Sequence, residues 1–144
     1  MRTYFFRVEV SRDEKLYVAQ AFDKRGAFLG VVSEETREDA LVEVKALALE
    51  ALLQIASEGK DPLEGLYQNP PKTGGVQATL QDVFPIVLRF KRCKHGLSQT
   101  RLAESMNVRQ QAYSKLERPG KSNPTLATIE QLSLILKEDI LALA

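Results

Sequence analysis

The sequence is poor in the residues that most catalytic and metal chemistry needs. It holds one cysteine, Cys93, one histidine, His95, and no tryptophan. A lone thiol excludes an internal disulfide framework and fits a reducing compartment. There is no metal-ligand spacing, no phosphate-binding glycine loop and no nucleotide fingerprint, so no cofactor and no metal are expected. No apolar run approaches the ~20 residues of a membrane helix. The opening residues, MRTYFFRVEV, lack the apolar core and small-residue cleavage site of a secretory leader, which points to a cytoplasmic protein with no membrane partner.

The same scarcity argues against an enzyme. His95 stands at a predicted helix end, where it is expected to cap carbonyls, and Cys93 is expected to be a small core residue. A nuclease site built on carboxylates needs several of them converging on two metals. Asp13 and Glu14 fall in a predicted turn and Asp23 in a loop, which leaves Glu9 as the one in-strand candidate. A weak nuclease is therefore the least favoured of three readings.

What is present is an uneven charge distribution. The formal net charge is +1. Residues 1–75 carry ten Lys and Arg against thirteen Asp and Glu, a balance of −3; residues 76–144 carry ten against six, a balance of +4. The basic half suits a polyanion, while the acidic half suits a different partner.

Residues 3–10 alternate, with Tyr4, Phe6, Val8 and Val10 on one side, so a strand is predicted, followed by a polar turn at Ser11–Lys15 and a second strand from Leu16 to Ala21. Asp23-Lys24-Arg25-Gly26 is a further turn signal, and Phe28–Val32 a third strand. Thr36 with Asp39 three positions on marks a helix start, and Gly59 a helix stop after about Ser57. This helix is apolar over more than one face: Leu41, Val44, Ala48, Leu52 and Ile55 form one stripe, and Val42, Ala46, Leu49 and Leu53 widen it. Residues 61–75 hold three of the six prolines and three of the eight glycines and read as a loop. Val76–Leu80 completes a βββαβ domain over residues 1–80, an α+β arrangement.

From residue 82 to 144 the periodicity is helical. Asp82 is expected to cap a helix carrying Val83, Phe84, Val87 and Leu88, with Pro85 in its first turn. Ser98 caps a short helix to Met106, Arg109–Arg118 forms the next, and Thr125 caps another to about Lys137, with Leu126, Ile129, Leu132 and Leu136 inward. A short piece from Asp139 to Leu143 follows. The stretch Gly96–Val108 answers to a helix-turn-helix: small Ala103 where the helices cross, Asn107 to tolerate left-handed backbone at the turn, and Leu102, Met106, Val108, Tyr113 and Leu116 to seal the joint. The outer face of the second helix keeps Arg109, Gln110, Gln111, Ser114, Lys115 and Arg118.

The run LSQTRLAESMNVRQQAYSKLERPGKSNPTLATIEQLSLIL resembles the phage-repressor (Xre/Cro) superfamily of helix-turn-helix domains. It departs in having Asn107 for Gly, Tyr113 for an aliphatic residue, and Pro119 as an extra residue. The resemblance implies DNA contact: Arg109, Gln110, Gln111 and Lys115 at base edges, where Gln suits adenine and Lys suits guanine, and Ser98 and Gln99 on a phosphate at the start of a helix. Ser122 and Asn123 would form a second phosphate clamp, and Arg92 with Glu117 a structural pair. The hydroxyl of Tyr113 is expected to reach the surface.

The N-terminal half, through Tyr17-Val18-Ala19, Ser33-Glu34-Glu35-Thr36 and Glu38-Asp39-Ala40-Leu41, resembles the HicB antitoxin family. The resemblance implies a partial RNase H-like domain that binds a small basic HicA-type mRNA-cleaving toxin, while the C-terminal domain represses its own operon on double-stranded operator DNA as a homodimer or higher even oligomer. Candidate dimer surfaces are the broad helix, the sheet edge and the terminal residues 140–144; toxin-contact residues are not identified. The alternative is a one-component repressor whose N-terminal domain senses a ligand or dimerises the chain.

Overall fold

The structure, a computed structural model, describes residues 3–140; the end of the predicted terminal piece, residues 141–144, lies outside the described residues. Four strands and five helices follow in the order β1 (Tyr4–Asp13), β2 (Leu16–Phe22), β3 (Phe28–Glu34), α1 (Arg37–Ser57), β4 (Gly75–Ala78), α2 (Leu80–Lys94), α3 (Gln99–Ser105), α4 (Gln110–Leu116) and α5 (Leu126–Leu136). The fold is α+β. Contacts divide it into one unit of Thr3–Leu52 with Leu63–Thr79 and another containing Leu53–Pro62 and the chain from Leu80 onward.

In the first unit the sheet order is β3-β2-β1-β4, and every neighbouring pair is antiparallel. The predicted alternation holds: Tyr4, Phe6 and Val8 are buried on one face, with Ala19 and Ala21 of β2. Ala40, Val44, Ala48 and Leu52 of α1 are buried in the same unit. The start of α1 is capped as its sequence predicts, with Asp39 N donating to Thr36 Oγ1 at 3.1 Å. The second apolar flank of α1 is not covered throughout, since Val42 remains 65% exposed and Ala46 is exposed.

Two boundaries differ from the sequence reading. β1 runs on through Ser11, Arg12 and Asp13, which pair with Val18, Tyr17 and Leu16, so the turn shrinks to Glu14-Lys15 with Glu14 at φ 54°. Ladder hydrogen bonds do not depend on side-chain polarity, and the Arg12 guanidinium lies 5.2 Å from the centre of the Tyr17 ring. Helix α2 begins at Leu80, two residues before the expected cap, so Asp82 lies in the first turn and Pro85 inside the helix. Leu80 therefore belongs to that helix and not to the preceding strand.

The long loop is tied to the sheet rather than free. Phe5 and Tyr67 exchange backbone bonds of 2.8 and 2.9 Å, Val8 N donates to Gly74 O at 2.8 Å, and Lys24 N donates to Gly65 O at 2.8 Å. At Gly74 the backbone is left-handed (φ +69°), and a Cβ there would lie 2.1 Å from Val8 O. Gly74→Ala is expected to destabilise the first unit by more than about 1 kcal/mol, read as a lower midpoint in urea denaturation.

Candidate nucleic-acid interface

Helices α2, α3, α4 and α5 enclose a small core of Phe84, Leu88, Leu102, Ala103, Met106, Tyr113, Leu132, Leu136 and Ile140. Three of the expected joint residues, Leu102, Met106 and Tyr113, are buried there, and Leu116 packs against it half-buried. Val108 does not join them: it lies in the turn and is exposed. Leu126 is likewise 80% exposed, because it occupies the first position after the Thr125 cap, ahead of the inward-facing turns. Cys93 is half-buried rather than a core residue.

The turn itself is closed by Asn107. With φ 56°, it ends α3 in left-handed backbone; Asn107 N donates to Glu104 O and Val108 N to Ala103 O, both at 3.0 Å. This is a Schellman closure, in which Asn takes the position usually given to glycine. Ser98 starts α3 by accepting from Arg101 N at 3.0 Å.

Behind the exposed face stands a charged cluster. Glu117, just beyond the end of α4, has 0% exposure. Its carboxylate accepts from Arg92 Nε (2.6 Å) and Nη2 (3.0 Å), Arg89 Nε (3.1 Å), Gln99 Nε2 (3.2 Å) and the Tyr113 hydroxyl. The Arg92–Glu117 pair implied by the sequence is present. Burial pushes the Glu117 carboxyl up, but the bonds from Arg92 and Tyr113 outweigh it and hold the carboxyl below its ordinary value. Burial and the neighbouring Glu117 charge raise Tyr113, which stays a neutral donor. Its hydroxyl therefore points inward, not to the surface, because it donates to the buried carboxylate of Glu117. Arg89, at half-burial, also donates to Ser57 Oγ at 3.3 Å; sequence reasoning passed it over, although its position three residues before Arg92 places it on the same helix face.

The site residues fall into distinct places. Gln111 and Lys115 are exposed and Ser114 is half-buried on the side of α4 away from Tyr113; Arg109 and Gln110, one turn ahead of Tyr113 on its own side, and Arg118, beyond the helix, are exposed as well. Arg109 is the extended residue before α4, with no side-chain cap. Gln99 is engaged at both ends of its amide: Nε2 donates to Glu117, and Oε1 accepts from Gln110 Nε2 at 2.9 Å. It thus links the buried cluster to the first residue of the exposed helix. Ser98 and Asn123 are exposed, but Ser122 is 1% exposed with an unpartnered hydroxyl, so it is not available to clamp a phosphate. The turn at Arg118–Ser122, closed by Lys121 N and Ser122 N on Arg118 O, draws that side chain inward. His95 does not cap carbonyls; its Nε2 lies 2.8 Å from Glu138 Oε2, where burial pushes the carboxyl up but the His95 bond and the lysines Lys91 and Lys94 hold it low.

Around this face Arg101, Arg109, Lys115, Arg118 and Lys121 are exposed, and among the described residues none of the five is in an ion pair. Unpaired cations beside the exposed amides of Gln110, held by Gln99, and Gln111 suit a phosphate backbone and base edges.

Glu117 has a folded pKa below its unfolded one, so its contribution is fully present above about pH 4.3 and is lost as pH falls below that. Glu117→Gln is expected to cost about 3 kcal/mol by leaving a buried guanidinium without its counter-charge. It should also flatten the fall of thermal stability between neutral and acid pH, measured by circular dichroism melts.

None of the curated proteins matches this chain. Residues 88–143 match the family model HTH_3, Helix-turn-helix, and stop short of the N-terminal sheet. The C-terminal part of this chain is a helix-turn-helix domain, similar to the Xre type, which supports DNA binding.

Proposed function

We propose that the chain is a DNA-binding antitoxin: the helix-turn-helix unit represses its own operon, and the N-terminal unit neutralises a small HicA-type mRNA-cleaving toxin by direct binding. The observation that carries the DNA half is the linkage from Glu117 through Gln99 to Gln110, which presets an amide on an exposed helix flanked by unpaired cations. Preset side chains lose less freedom on binding, so they discriminate better between bases. Two copies on half-sites about one helical turn apart would give the operator the length a repressor needs.

The antitoxin half rests on the resemblance of residues 17–41 to HicB proteins and on the −3 balance of residues 1–75, which complements a basic toxin. In this reading the chain is a binding protein and not an enzyme: Glu9, the one in-strand carboxylate considered for catalysis, is exposed and paired with Arg7. Among the described residues no helix is long and apolar enough to cross a membrane.

Lys115→Ala or Gln111→Ala is expected to reduce discrimination between the DNA upstream of the gene and unrelated DNA by ~1–3 kcal/mol. Gln99→Ala should also lose discrimination, not only overall affinity, because Gln110 is released; fluorescence anisotropy on both DNAs separates the two effects. Loss of affinity equal on both DNAs for all three variants would refute base reading by this face.

For the antitoxin half, the neighbouring small gene is expressed alone and with this chain. Growth arrest rescued by co-expression, with the two proteins co-purifying, is the expected outcome. Rescue lacking in the presence of full-length chain would sink it.

A further inference from the structure

The N-terminal unit contains a cavity of about 540 Å³, lined by Arg7 of β1, Lys24 of the β2–β3 turn and the loop residues Tyr67, Asn69, Lys72 and Thr73, with Gln68, Pro70 and Pro71 completing the wall. Its volume lies in the ~300–1,000 Å³ range of small-molecule sites. No carboxylate lines it, although residues 1–75 as a whole are acidic. Lys24 and Lys72 thus stand on one pocket, with Arg7 in its wall, in a half of the chain whose balance is acidic.

Two acids close to these residues in the sheet and turn, Glu9 and Asp23, are already engaged. Glu9 is bonded to Arg7, whose guanidinium lies 4.7 Å from the centre of the Phe22 ring. Asp23, 4% exposed, accepts from Arg25 N and Ala27 N at 2.8 Å and from the Arg25 side chain. That leaves Lys24 and Lys72 exposed and without an acidic partner among the described residues.

The walls are built in advance. The loop is bonded to β1 at Tyr67 and Gly74 and to the turn at Gly65. A Cβ on Gly65 would lie 2.6 Å from Asp23 Oδ2, and one on Gly75 would lie 2.9 Å from Pro71 Cδ, so close packing sets the loop's path. Pro70-Pro71 stiffens the rim. A pocket whose shape needs no ordering on binding keeps more of its interaction energy as affinity.

We propose that this cavity binds the phosphoryl group of a small phosphorylated ligand, with Lys24 and Lys72 as the charge partners and the side chains of Asn69 and Thr73 as neutral donors. Lysine ammonium groups act as point charges suited to a tetrahedral phosphoryl group, and the amide and hydroxyl donors supply direction. The inference is independent of the toxin reading, and its failure would leave that reading where it stands.

The test is calorimetric titration of the full chain with inorganic phosphate, pyrophosphate and adenosine monophosphate, repeated on the Lys24→Ala/Lys72→Ala double variant and on Lys60→Ala, an exposed lysine outside the cavity. Binding is expected for at least pyrophosphate or the nucleotide, weakened about tenfold or more in the double variant and unchanged in Lys60→Ala. Tighter binding of the nucleotide than of pyrophosphate assigns the phosphoryl group to a nucleotide source; the reverse order assigns it to an inorganic one. Absence of heat with all three probes, or equal binding by the double variant, overturns the proposal.

Discussion

Five donors from three helices converge on the carboxylate of Glu117, and the placement of α4 follows from that convergence. An ionised carboxylate without exposure is tolerated only when every lone pair is met by a charged or polar donor. Arg89 and Arg92 supply the charge from α2, Gln99 reaches in from α3, and Tyr113 comes from α4 itself. Because each helix contributes to one acceptor, none can shift without uncovering it. Apolar packing around Leu88, Leu102, Met106 and Leu132 sets distances, whereas the directional bonds set the rotation of α4 about its own axis. That rotation decides which residues face outward.

Function grows out of the same network. Gln99 is the hinge between interior and surface, one end of its amide on Glu117 and the other on Gln110. A residue on the surface is thereby oriented by a buried charge two bonds away. The N-terminal unit uses a different device for a similar end: a proline- and glycine-rich loop bonded backbone-to-backbone to β1 and the β2–β3 turn, so that polar side chains are held on a fixed frame.

Much of this could be read from residue order. Alternation in β1, the Thr36 and Thr125 caps and the left-handed Asn107 all appeared where local pattern placed them, because each depends on residues near in sequence, while the Arg92–Glu117 pair appeared where the resemblance to the repressor superfamily implied it. Tyr113 and Ser122 went the other way. A tyrosine hydroxyl and a serine hydroxyl look surface-seeking in one dimension, yet one found a buried carboxylate and the other was carried inward by the turn at Arg118. Arg89 and the double engagement of Gln99 were invisible for the same reason: partners 28 and 18 residues away leave no periodic trace.

Residue order was enough for the helix-turn-helix, the α+β order of the N-terminal half and the opposed charges of the two halves. Those properties come from backbone preference, hydrophobic period and composition, which act over a few residues or are simple sums. Which polar groups were consumed inside and which were left for a partner emerged with the packed fold alone. A hydrogen bond depends on where two distant atoms finish, and that is settled by packing rather than by either residue's own chemistry.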